Sequence, residues 1–176
     1  MRRLRHQADR DAAPPGKNRS PAAAETFALT DAGANPPNAW QGEASPGNLA
    51  SVREFVGEQC LRAGADPQAC FDLKLAVDEA CTNIVVHGFA GKPPGRMTVS
   101  FACEGGRMTV VIEDRGGPFD PDRIPAPDLE APVEEREPGG FGWHLIRQTV
   151  DHFRYESDSA GNRLTLVKSA RARQQS

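Results

Sequence analysis

Three short segments hold residue types that can do chemistry, at spacings that bring them together. In Glu79-Ala80-Cys81-Thr82-Asn83 a carboxylate and an amide stand four residues apart. On a helix both side chains lie on one face, a turn from each other. A carboxylate there can accept a proton or orient a hydroxyl. An amide oxygen is a neutral ligand that suits Mg²⁺, which takes few protein ligands and keeps its waters. A solvated polar stripe has the same spacing, but Leu73, Ala76, Val77, Ala80, Ile84 and Val85 make this segment largely apolar, and a buried Asn needs partners. The second segment, Asp114-Arg115-Gly116-Gly117-Pro118, directly follows an alternating apolar stretch. Glycine behind a carboxylate at a strand's end lets a flat ring approach the backbone. An ionised Asp only accepts, so it suits an exocyclic amine such as the 6-amino group of adenine; the same residues also make an ordinary turn. The third, Pro138-Gly139-Gly140-Phe141-Gly142, opens a helical pattern. Backbone N–H groups with no Cβ in the way form an anion site at a helix start, although glycines there also make a plain flexible beginning. The pattern is neither G-x-G-x-x-G nor a P-loop.

The elements that must position these segments can be read from periodicity. Residues 25–30 (ETFALT) alternate and read as a short first strand, followed by a Pro/Gly/Asn-rich connection over residues 31–48. Leu49, Val52, Phe55, Val56, Gln59 and Cys60 recur at helical spacing over residues 49–63. Asp66-Pro67 is a helix start, with Asp at the N-cap and Pro in the first turn, and the second helix runs to about His87, closed by Gly88. Residues 96–102 and 107–113 alternate around Gly105-Gly106, a β-hairpin with Met97, Val99 and Phe101 on the face of Met108, Val110 and Ile112 or of their neighbours. Residues 117–138 hold six prolines and seven acids without periodicity, and a loop this long in a domain is usually functional. Residues 141–150 read as a helix, and residues 152–156 and 163–168 as two last strands. The pattern is α+β: a two-layer sandwich, with a mixed, mostly antiparallel sheet and helices on one face.

Composition limits what such a domain can be. Of 176 residues, 1–24 form a basic Ala/Pro-rich tail expected to be disordered, 25–169 the domain, and 170–176 a flexible C-terminal tail. About 145 folded residues bury roughly 70% of the chain's surface and can fold unaided. The net charge is −3 overall and +4 in residues 1–20, which leaves −7 on the remainder. An acidic body argues against a broad nucleic-acid-binding face. No apolar run approaches a membrane span and no apolar signal segment follows the basic N-terminus, so a cytoplasmic protein is expected. Cys60, Cys70, Cys81 and Cys103 are 10, 11 and 22 residues apart, too far for a zinc-site pairing; buried reduced thiols are expected.

In the order E-x-x-x-N, D-x-G-G-P, long loop, G-G-F-G, these segments resemble the ATP-binding fold of gyrase, the Hsp90 chaperone, histidine kinases and MutL, the GHKL or Bergerat superfamily. They are similar in particular to its small single-domain branch, the anti-sigma-factor serine/threonine kinases. The strings LAVDEACTNIVVHGF, IEDRGGPFDP, GGFGWHLIRQTVDHFRYE and GNRLTLVK carry the resemblance, which spans residues 49–168. It implies an ATP-dependent protein kinase with Mg²⁺, in which Glu79 is the general base, Asn83 the Mg²⁺ ligand, and Asp114 the adenine-reading carboxylate, with Gly116 giving the ring room. Gly140 and Gly142 would meet the phosphates, residues 119–138 would form the lid, and His87 would be a packing residue near the site. The implied partners are a sigma factor and a STAS-type anti-anti-sigma protein, with a second copy in a homodimer also possible, and neither nucleic acid nor membrane. Two departures stand out. The branch carries a basic residue just before the glycines, where this chain has Pro138 and its nearest cation is Arg136. The connection between the first strand and first helix is also long for the branch.

Overall fold

The structure is a computed structural model that describes residues 38–119, 121 and 141–171. Its centre is the predicted hairpin, Arg96–Glu104 (β2) and Arg107–Asp114 (β3). Gly105 and Gly106 adopt φ of +57° and +77°, the consecutive left-handed pair that a two-residue hairpin turn requires. Val99 lies opposite Ile112, and Phe101 opposite Val110, and all four side chains are buried, so the alternation read from the sequence sets the register. The last hairpin, His152–Asp158 (β4) and Gly161–Ser169 (β5), adds through β5 to β3.

The first described strand is Ala39–Glu43 (β1), which pairs with β2 and completes the order β1-β2-β3-β5-β4. Residues 39–43 were expected to be part of the Pro/Gly/Asn-rich connection, and that reading is corrected. Local preference for a strand is weak in AWQGE; pairing supplies it. Trp40 stands opposite Val99, its indole donates to Ser51 Oγ at 3.0 Å, and its ring occupies the space beside Gly42 that a Cβ would need. Residues 44–48 connect this strand to the first helix. The strand expected at residues 25–30 lies outside the described residues, as do the tails at 1–24 and 172–176. Every described pairing is antiparallel, so no mixed pairing occurs among them.

Among the described residues three α-helices cover one face. After a short turn at Pro46–Asn48, Leu49–Arg62 (α1) buries Val52, Val56, Gln59 and Cys60. Pro67–Asn83 (α2) begins as predicted: Asp66 Oδ1 accepts from Gln68 N at 2.9 Å and Ala69 N at 3.4 Å, a cap worth about 1 kcal/mol. It buries Ala69, Leu73, Ala76, Val77, Ala80 and Cys81; full burial of Leu73 alone contributes about 1.5–3 kcal/mol. Phe141–Thr149 (α3) buries Trp143 and Ile146 in the same core. Lys168 ties the layers together, its Nζ 2.7 Å from Asp72 Oδ2 on α2 and donating to the Thr149 carbonyl of α3 at 2.6 Å. Burial pushes the Cys60 thiol up to about 12 and moves Cys81 upward as well, so both are protonated packing residues. Cys103 is exposed, and for it the expectation of a buried thiol is corrected.

Candidate nucleotide site

Glu79 and Asn83 occupy one face in the last turns of α2, both half-buried, and the first turn of α3 lies against them. Gly142 closes that contact. A Cβ there would stand 2.5 Å from Glu79 Oε2 and 3.7 Å from Asn83 Nδ2, so glycine is needed for close approach. The N-terminal end of α3, where unpaired N–H groups carry partial positive charge, is thereby set beside a carboxylate and an amide. Burial raises the Glu79 carboxyl above its ordinary value, and the neighbouring Asp78 adds to the rise. Gly142→Ala is expected to keep the fold, because the clash is with the mobile end of Glu79 and Ala favours a helix over Gly by about 1 kcal/mol. A melting temperature equal to or above wild type, with the Glu79 carboxylate displaced, is the expected result. Unfolding of the variant would mean that Glu79 is locked in place.

Beyond Asn83 the helix widens into a π-turn, Ile84–Gly88, a form found mostly as single turns at functional sites. It delivers the Gly88 carbonyl to the loop after β3, where Gly117 N donates to it at 2.6 Å. Gly116 rests on the same peptide: a Cβ at 116 would lie 2.7 Å from Gly88 O and 2.9 Å from Asp114 Oδ1. Asp114 ends β3 and is 8% exposed. Its Oδ1 accepts from Gly116 N at 2.6 Å and from Asn162 Nδ2 at 3.0 Å. Both internal donors converge on Oδ1, and among the described residues none reaches Oδ2. The C-terminal end of α2 and the end of β3 are thus fastened through Gly88, with the Glu79/Asn83 pair and Asp114 on either side.

This arrangement has counterparts. The sequence profile of the histidine kinase-like ATPase domain matches residues 42–168. The chain belongs to that family. Serine-protein kinase RsbW of Bacillus velezensis is 31% identical over 121 residues, 66% of this chain and 75% of the relative. Serine/threonine-protein kinase BtrW of Bordetella bronchiseptica is 31% identical over 97 residues, 55% of this chain and 68% of the relative. The solved RsbU and RsbW domains of a Mycobacterium tuberculosis protein superpose on 78% of this chain with a TM-score of 0.52 at 21% identity, a likeness of fold that covers 34% of that longer chain.

In this histidine kinase-like ATPase, the structure brings Glu79, Asn83 and Gly142 together and sets Asp114 with Gly116. Gly140, Arg136 and the segment 119–138, apart from Phe119 and Pro121, lie outside the described residues. His87, expected to pack near the site, is exposed, because the π-turn rotates it off the buried face. Sequence reasoning missed Asn162, which is 6% exposed and holds Asp114, and Gly161, whose φ of +141° lets the backbone pass against the Asp114 carbonyl. Both fall between the strands expected at residues 152–156 and 163–168. The only available signal was their place at the start of the strand paired with β3.

The donor set fits Mg²⁺ in one manner. Among the described residues no cluster of three or more His, Cys, Asp or Glu side chains could hold a metal. Asn83, beside the space that a Cβ at 142 would fill, offers a single neutral oxygen. That is a match for an ion carried chiefly by nucleotide phosphates and waters.

Proposed function

We propose that this chain is an ATP-dependent protein-serine kinase that transfers the γ-phosphate to a serine of a STAS-type antagonist, and that it also sequesters a sigma factor in bacterial partner switching. The observation that carries the reading is the contact of Gly142 with Glu79 and Asn83, which gathers a carboxylate, an amide and a helix N-terminus at one point. The RsbW and BtrW relatives, named as serine and serine/threonine kinases, support the reaction type.

The chemistry follows from the groups. The serine hydroxyl passes its proton to Glu79 as its oxygen attacks the γ-phosphorus in line; the bond to the bridging oxygen breaks and ADP leaves. Burial raises the Glu79 carboxyl above its ordinary value, which makes it a stronger base than an exposed carboxylate. Asp114 Oδ2 receives the adenine amino group. When bound through Asn83, Mg²⁺ supplies charge neutralisation on the phosphates. The α3 N-terminus at Phe141 and Gly142 adds backbone donors for the same charge; by resemblance Gly140 would add another, and Arg136 is the cation nearest the glycines in sequence.

Pro138, where the branch carries a basic residue, favours a second reading: a nucleotide-gated interaction module of the same fold with weak or no transfer. A radiolabelled ATP assay with the cognate antagonist separates the two. Labelled antagonist supports the kinase, and nucleotide-dependent binding without label supports the module. Both readings share one expectation: Asn83→Ala abolishes the Mg²⁺-dependent tightening of ATP binding while the protein still melts cooperatively. Calorimetric titration with and without Mg²⁺ measures it, and an unchanged Mg²⁺ dependence would reduce the pair to a structural stripe.

A further inference from the structure

The amide of Asn162 faces three acceptors, Asp114 Oδ1 at 3.0 Å, Gly116 O at 3.2 Å and Gly117 O at 3.4 Å. Only a donor suits that place, which fixes Nδ2 inward and Oδ1 outward. Asn162 Oδ1 then accepts from Tyr155 Oη at 2.9 Å and from Ser157 Oγ at 2.8 Å. The Tyr155 hydroxyl, its proton spent on Asn162, accepts in turn from Phe119 N at 3.1 Å. The Phe119 ring packs against Tyr155, with centroids 4.6 Å apart, and edge-on to Trp143 of α3 at 5.2 Å. Trp143 is 2% exposed and its indole N–H has no hydrogen-bond partner among the described residues. Its seat is made by packing within the core, with Phe119 and with Phe153 at 5.4 Å among the rings that touch it.

We infer that Tyr155 and Asn162 are positioning residues that join two events: base recognition by Asp114 and the seating of Phe119 on Trp143, one residue beyond Gly142. Asn162 holds Oδ1 of Asp114 so that Oδ2 alone meets the ligand. Tyr155 holds Asn162 in that orientation and the Phe119 backbone with the same oxygen. A small displacement at the base end is thereby passed by hydrogen bonds to an aromatic contact on the helix that abuts Glu79. Buried networks of this kind act as a unit, and double-mutant cycles are the means to show it. The inference rests on Asp114 as the base-reading carboxylate.

The test is a cycle of Tyr155→Phe and Asp114→Ala, read as ADP affinity by calorimetry, with cooperative melting checked for each variant. Tyr155→Phe keeps the ring packing and removes one hydroxyl. Alone it is expected to weaken ADP by about tenfold, the effect of one lost hydrogen bond in a buried network, and to narrow the preference for ATP over GTP. In the Asp114→Ala background it should cost almost nothing more. Additive losses, or no loss from Tyr155→Phe, would overturn the coupling while leaving Asp114 as the base reader. A silent Asp114→Ala would instead remove the reading on which it rests. The second link is followed by fluorescence in a Trp40→Phe background, where Trp143 is the remaining indole. ADP should shift Trp143 emission, and Tyr155→Phe should diminish that shift at saturating ADP. Emission indifferent to ADP would overturn the link from Phe119 to α3. Asn162→Asp, nearly isosteric, puts a carboxylate against three acceptors and should weaken ADP more than Tyr155→Phe does; a smaller effect would also overturn the relay.

Discussion

Glu79→Gln is expected to lower phosphoryl transfer by about 10²–10⁴-fold, the contribution of a positioned general base, while nucleotide affinity stays near wild type. Gln keeps the size and the hydrogen bonding of the side chain and removes only its ability to take a proton. The same substitution carries a stability expectation of definite sign. Burial, assisted by Asp78, raises the Glu79 carboxyl in the folded protein, so the folded state binds that proton more tightly than the unfolded one. By linkage this favours folding at low pH, and the contribution is lost as pH rises through the raised value. At neutral pH the ionised side chain is therefore a cost, and Gln removes it. The variant should melt at or above the wild-type temperature. A stable protein without transfer identifies a base; a destabilised one identifies a structural carboxylate. In wild type the acid limb of the transfer rate should lie above the ordinary carboxylate range, and a rate that stays flat down to that range would count against Glu79 as the base.

The second large effect is base selectivity. Asp114 turns one carboxylate oxygen inward to Gly116 N and Asn162 Nδ2, and the other meets no donor among the described residues. Adenine presents an amino donor to it, whereas guanine presents a carbonyl oxygen at the equivalent place, with no proton between the two acceptors. An unsatisfied pair of this kind costs about 1–3 kcal/mol, and more when one group is charged. That converts to a preference of about tenfold to more than a hundredfold for ATP over GTP. Asp114→Ala should weaken ATP and ADP alike, because the base contact is blind to the γ-phosphate, and should erase most of the preference. Competition titrations with ATP, ADP and GTP decide it. Equal affinity of the wild-type protein for ATP and GTP would remove Asp114 from the site.

Some of this was legible before any coordinates. Where a signal is local, residue type alone suffices: Asp66-Pro67 starts α2, Gly105-Gly106 turns the hairpin, and alternation from Met97 to Ile112 sets which face is buried. The four-residue spacing of Glu79 and Asn83 placed them on one helix face for the same reason, since helical geometry depends only on the chain between them. Other features needed tertiary structure because the forces behind them act between distant segments. β1 lacks strand preference of its own and exists through pairing with β2 and the seat of Trp40 between Val99 and Ser51. The π-turn at Ile84–Gly88 cannot be told by periodicity from a continued α-helix, yet it exposes His87 and carries the Gly88 carbonyl to Gly117. Asn162 stands 48 residues from Asp114, and in sequence it belongs to an ordinary turn; only β3–β5 pairing makes it the donor that orients a carboxylate. Sequence determined which groups could do the chemistry, through local geometry and residue type. The tertiary structure decided which oxygen of Asp114 is free and what lies against Glu79, because both depend on segments brought together by sheet register and helix packing.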